Sequence, residues 1–170
     1  MADRIVILDA GTIAQAGPPE EVFNRPASPF VASFMGANNT VALTFAGSGR
    51  DVLVAGGPHN FPARLAGRRG AVPEGPVIAH FRGTTARLVA PDAPAEENTI
   101  VLHGTIAQVS YPGGFWRYAV DVGGARYLVD GEQRVEAGIP IGLRLPLESL
   151  HVFARGADMP SSHAAVSVAA

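Results

Sequence analysis

Apolar and polar positions change period twice along the chain. Ile5-Val6-Ile7-Leu8 is a short β-branched apolar run that stops at Asp9-Ala10-Gly11, and residues 12–17 alternate weakly after it. Two short runs around an Asp/Gly turn predict a β-hairpin. The period then becomes helical. Pro18-Pro19 opens a segment with Glu20 and Glu21 in its first turn, where carboxylates suit the positive end of the helix dipole, and Pro26 ends it. Ser28-Pro29 opens a second short helix over residues 30–35. Phe30 and Phe34 lie four apart on one face, and Gly36 is a natural stop.

From residue 41 onward only strand patterns remain. Residues 41–45, 51–54 and 61–65 are short candidates between Gly-rich turns, and residues 76–82 read as a more buried strand that residues 86–89 extend. A Pro/acidic loop covers residues 90–97. Residues 99–109 are strand-like, Tyr111-Pro112-Gly113-Gly114 turns, residues 115–122 alternate, Gly123-Gly124 is a hairpin turn and residues 125–129 return. Residues 141–145 and 150–153 close the series. Strands of this length and spacing predict a mainly β fold, an OB-like small β-barrel preceded by the hairpin and two short helices. The expected division is residues 1–39 (hairpin and helices), 40–155 (barrel) and 156–170 (a disordered Ala/Ser/Val tail).

Composition narrows the function classes. In 170 residues, 47% are hydrophobic and 16% charged, enough apolar material for a core, while 20 Gly and 14 Pro fit short elements joined by turns. The net charge of −2 gives no electrostatic reason to expect nucleic acid or an anionic membrane as partner. All 13 basic residues are Arg, so chemistry needing a Lys amine is excluded, and the absence of Cys excludes disulfides and thiolate catalysis. No apolar run approaches the roughly 20 residues that span a bilayer. The first residues lack a signal-peptide pattern, so a cytoplasmic location is the simplest reading.

Candidate chemistry is sparse. His59, His80, His103, His151 and His163 are scattered without metal-ligand spacing and read as ordinary surface or strand histidines. Glu20-Glu21 reads as a helix-dipole partner and Glu96-Glu97 as a solvated loop. Gly113-Gly114 and Gly123-Gly124 precede no helix, so they make no phosphate cradle, and Ser110, Ser149 and Ser161 lack a nucleophile-elbow setting. No catalytic, cofactor or metal residue emerges. The possible ligand or interface residues are Tyr111, Trp116 and Arg117, an aromatic–basic cluster with Phe115 and Tyr118, and Arg82, which suits either an anion or a salt bridge. Such a cluster on a barrel can stack a small ligand or a base, but alternation into and out of a core, with packing across strands, is the preferred reading.

One stretch carries a family resemblance. Ala2-Asp3-Arg4-Ile5, then Gly11-Thr12-Ile13-Ala14-Gln15-Ala16-Gly17, Pro19-Glu20-Glu21-Val22-Phe23, Pro26, and Phe30-Val31-Ala32-Ser33-Phe34-Met35-Gly36 with Asn38 follow one another without a gap. This order resembles the end of the nucleotide-binding core in ATP-binding subunits of ABC importers of the spermidine/putrescine, iron(III) or maltose type. In that family an OB-like transport-associated (TOBE) domain follows. Gly104-Thr105-Ile106, Tyr111-Pro112-Gly113, Tyr118-Ala119-Val120 and Gly138-Ile139-Pro140-Ile141 resemble its second half. Leu147-Glu148-Ser149-Leu150-His151-Val152-Phe153 resembles its closing segment. Phe81-Arg82-Gly83-Thr84 stands where relatives carry Ile-Arg-Pro-Glu: the Arg is kept, the Pro and Glu are not.

The resemblance implies a non-catalytic regulatory and dimerisation module. The phosphate loop, signature and acidic Walker B strand are absent from these residues, and the family's catalytic His would lie upstream of Met1. ATP and Mg are then cofactors of the full-length parent, with none bound by this chain. The implied partners are a second copy in a homodimer, the nucleotide-binding core and the membrane permease subunits, at the inner face of the membrane; nucleic acid is not among them. A small-ligand or oxyanion sensor is the alternative, although the Ser-Ala-Arg-Asn motif of related molybdate-binding modules is missing. An OB-fold nucleic-acid binder is a third reading, opposed by the acidic balance.

Overall fold

The computed structural model describes residues 3–46, 51–55, 61–64, 75–94, 96 and 98–155. The expected tail, residues 156–170, lies outside them, as do His59, Glu97, Ser161 and His163. Ile5–Asp9 (β1) and Thr12–Gly17 (β2) form the predicted antiparallel hairpin. Its two-residue turn holds Ala10 at φ 46° and Gly11 at φ 83°, the left-handed geometry that tight hairpins require.

Pro19–Asn24 (α1) and Pro29–Phe34 (α2) are the two helices. At six residues each they are too short to stand alone in water, so tertiary contacts hold them. Ser28 caps α2 by accepting from the Val31 N–H. At its other end Gly36 sits at φ 90°, its N–H donates to the Ser33 carbonyl and the Ala37 N–H to the Ala32 carbonyl. That is a Schellman stop, possible because Gly36 has no Cβ to strain. Val22 and Val31 bury against Ile7 in a small core of their own, with Ile5, Ala14 and Met35 beside it. Gln15 bridges the helix connection around Pro26: its amide donates to the Arg25 carbonyl and accepts from the Ala27 N–H.

The remaining strands are Asn39–Ala46 (β3), Asp51–Ala55 (β4), Phe61–Arg64 (β5), Gly75–Phe81 (β6), Arg87–Val89 (β7), Thr99–Ser110 (β8), Trp116–Val122 (β9), Ala125–Gly131 (β10), Pro140–Pro146 (β11) and His151–Ala154 (β12). They form two antiparallel sheets, ordered β12-β6-β3-β4-β5 and β10-β9-β8-β11-β7. Period-two alternation turns one face of each sheet inward. Val41, Leu43, Phe45, Val77, Ala79 and Phe81 from the first sheet share a core with Ile100, Leu102, Tyr118, Val120, Val129, Leu143 and Leu145 from the second. Each large side chain so buried contributes about 1.5–3 kcal/mol.

The OB-like mainly β class holds, but the barrel is open: among the described residues strand pairing stays within two sheets. At the β10 edge a side chain replaces a neighbouring strand. The Asn39 amide donates to the Leu128 carbonyl and accepts from the Leu128 N–H, both at 2.8 Å, as a paired backbone would. Two further details differ from the sequence pattern. Leu147–Ser149 forms a 3-10 turn that buries Leu147 and Leu150. Glu96 is also more than a solvated loop carboxylate, since it pairs with Arg144 at 2.5 Å while Arg144 also donates to the Pro94 carbonyl. That pairing fastens the Pro/acidic loop to β11.

Candidate functional site

His80 lies on the outer side of β6, and Arg82 follows directly after the strand's last residue, Phe81. In register, His151 of β12 stands directly opposite His80. The N-terminal unit, β1 through α2, meets the first sheet here.

Arg82 connects three elements. Its Nε donates to the Met35 carbonyl at the end of α2 (3.2 Å), one Nη to the Phe23 carbonyl of α1 (2.8 Å), and the other Nη to Nε2 of His151 (2.9 Å). The last bond requires an unprotonated Nε2, because a guanidinium can only donate. The guanidinium also lies 3.6 Å over the Phe23 ring, close enough for a cation–π contact. Burial lowers the Arg82 pKa from its ordinary value. The two carbonyls at the negative ends of the helices offset part of that cost.

His80 makes the second link. It is buried, with Nδ1 3.1 Å from the Ala37 carbonyl and 3.4 Å from the Ser33 hydroxyl. Its ring meets Phe153 edge-on at 5.6 Å. Burial pushes its pKa down, and the bond to Ala37 raises it only in part. The ring is thus held neutral, its Nδ1–H donating to Ala37.

Gly83, directly after Arg82, lies close against β10. A Cβ at Gly83 would lie 2.5 Å from the Leu128 carbonyl oxygen. The Asp130 N–H also donates to the Gly83 carbonyl. The chain after β6 therefore runs directly against β10.

The other three sequence candidates gather elsewhere, at the β8–β9 connection on the second sheet. The Tyr111 and Trp116 rings are 4.9 Å apart and tilted, and Arg134 lies 5.5 Å over Trp116. Trp116 packs partly against the core, whereas Arg117 turns outward into a bidentate pair with Asp130 (2.7 and 3.1 Å). Tyr118 is buried, its hydroxyl donating to the Gln133 carbonyl. This is the in-and-out alternation of a strand. Asp130 takes two of the five N–H donors of the Arg117 guanidinium. Among the described residues no group of three His, Asp or Glu side chains is placed to hold a metal.

Sequence reasoning singled out Arg82 but missed His80 and Asn39. The signal for His80 was its place two residues before Arg82. For Asn39 the sequence carried no signal beyond a polar residue at a strand start.

Residues 79–153, from β6 to β12, match the TOBE domain model TOBE_2. The sn-glycerol-3-phosphate import ATP-binding protein UgpC 1 of Rhizobium johnstonii is 32% identical over 91% of this chain and 41% of its own length. The spermidine/putrescine import ATP-binding protein PotA of Clostridium novyi is 26% identical over 93% of this chain and 42% of its own. The chain thus spans about two fifths of the length of these relatives. Among solved structures, the cytoplasmic molybdate-binding protein ModG shares the fold at TM-score 0.51 and 12% identity, over 67% of this chain and 94% of that one. Residues 79–153 thus match the TOBE domain, and along most of its length the chain resembles the C-terminal part of ABC-importer ATP-binding subunits.

Proposed function

We propose that this chain is a non-catalytic regulatory and dimerisation module of an ABC-importer ATP-binding subunit. The longer protein couples ATP hydrolysis, with Mg, to solute import, working with membrane permease subunits at the cytoplasmic face. The observation that carries the reading is the Arg82–His80 joint. The TOBE domain is not tethered to the N-terminal unit by a loose linker; His80 at the end of β6 and Arg82 just after it fasten it to the ends of both helices. A joint of this kind passes displacement from one side to the other.

The relatives are named for different solutes, glycerol phosphate in one and spermidine or putrescine in the other, so the solute is assigned only as one of the importer types. Sedimentation velocity tests the module reading. The chain sediments as a dimer in the micromolar range, and a monomer at every concentration up to the highest soluble one contradicts the dimerisation role. A small-ligand or oxyanion sensor is the second reading, favoured by the exposed Tyr111 ring beside Trp116 and Arg134. A thermal shift with molybdate, sulfate, phosphate or spermidine supports it, and its absence removes it.

A further inference from the structure

The outer face of the β9–β10 hairpin carries a charge pattern that complements itself. Three cross-strand pairs stand in register: Arg117 with Asp130, Ala119 with Leu128, and Asp121 with Arg126. Both charged pairs are bidentate, at 2.7 and 3.1 Å for Arg117–Asp130 and 2.7 and 2.9 Å for Arg126–Asp121. Their polarity is opposite, because β9 supplies the Arg in one row and the Asp in the other. The four charges therefore form a checkerboard around an apolar centre. Leu128, at 51% exposure, is a large aliphatic side chain left in solvent at that centre.

The edge of β10 is closed while its face is open. Asn39 takes both backbone groups of Leu128, and Gly83 accepts from the Asp130 N–H. Strand addition at this edge would have to break those bonds, so association through β10 has to use the face. On the other side of β9, the β8 residues in register with this face are Thr105, Gln108 and Ser110, all uncharged and exposed. No like charge from β8 opposes a second checkerboard.

We propose that this face is the two-fold interface between two copies of the chain. The inference rests on the dimerisation reading above and assigns its surface. The axis lies in the interface plane and runs across the strands. It sets Leu128 of each copy on Leu128 of the other. It places Arg117 opposite the partner's Asp121, and Asp130 opposite the partner's Arg126. The same patch serves both copies, as an isologous contact requires. Exposed ion pairs add little energy singly, so the charges fix register while the apolar centre supplies attraction.

Sedimentation of the whole chain and three variants tests the assignment. Leu128→Asp sets carboxylate on carboxylate at the centre. Asp121→Arg with Arg126→Asp keeps the intramolecular pair but brings guanidinium opposite guanidinium and carboxylate opposite carboxylate across the axis. Both weaken self-association at least roughly tenfold. Adding Arg117→Asp and Asp130→Arg to the second variant inverts the whole checkerboard and restores the dimer. Circular dichroism matching wild type confirms that each variant is folded. A dimer that survives either weakening substitution, or an inverted variant that stays monomeric, overturns the assignment while leaving the dimerisation reading intact. A monomeric wild-type chain overturns both.

Discussion

Each nitrogen of the Arg82 guanidinium faces a different element: Nε the end of α2, one Nη the α1 carbonyl of Phe23, the other Nη the His151 ring. Arg82→Ala removes these bonds and the Phe23 contact, and should lower stability by roughly 2–3 kcal/mol in urea unfolding. Arg82→Lys should not rescue it, because a single ammonium cannot reproduce a planar fork reaching three partners. His80 gives a pH signature. Its folded pKa is lowered by burial, so near neutral pH both states are unprotonated and the contribution is complete. Below the unfolded value of about 6.5 the unfolded chain binds the proton first. Stability therefore falls as pH drops from there through the folded pKa. Unfolding free energies of wild type and His80→Asn, measured between pH 7 and 5, should converge as pH falls. Gly83→Ala pushes a Cβ into the Leu128 carbonyl and should cost about 1–3 kcal/mol in the same assay.

At the scale of elements, the hairpin, both helices and the run of strands were legible because each announces itself locally. Pro19 and Ser28-Pro29 open the helices, Gly36 stops the second, and Gly123-Gly124 turns β9 into β10. What joins elements was not legible. The roles of Gln15, Asn39 and Glu96 lie in partners 10, 89 and 48 residues away, and no local period encodes such a pairing. Arg82 was singled out by its motif, yet the motif did not say that its partners would be helix-end carbonyls of the same chain. Tyr111, Trp116 and Arg117 were singled out as a cluster, and strand alternation divided them between the core and the outer face. Asn39 allows a test at this scale. Asn39→Ala leaves the Leu128 N–H and carbonyl without their protein partner and should cost about 1–3 kcal/mol. Amide exchange at Leu128 should accelerate with it, while exchange at the central strand β8 should not.

For the whole molecule, two bodies with separate cores meet at one joint. The small core around Ile7, Val22 and Val31 belongs to the N-terminal unit, and the large one fills the space between the sheets. Ile7 finds its cover within the chain, whereas Leu8, Ile13 and Phe34 stay exposed at 58%, 63% and 66%. The fold class followed from period and turn spacing. The position of the N-terminal unit on β6 did not, because it rests on His80 and Arg82 acting across layers. The central claim is that these two residues make the N-terminal unit and the two-sheet body move as one. Native-state hydrogen exchange, residue by residue, tests it most directly. In Arg82→Ala, the amides of Arg25, Ala32 and Met35 should exchange at least roughly tenfold faster, while those of Val120 and Val129 keep their wild-type rates. Unchanged rates in the helices, or equal acceleration in both bodies, would contradict the account.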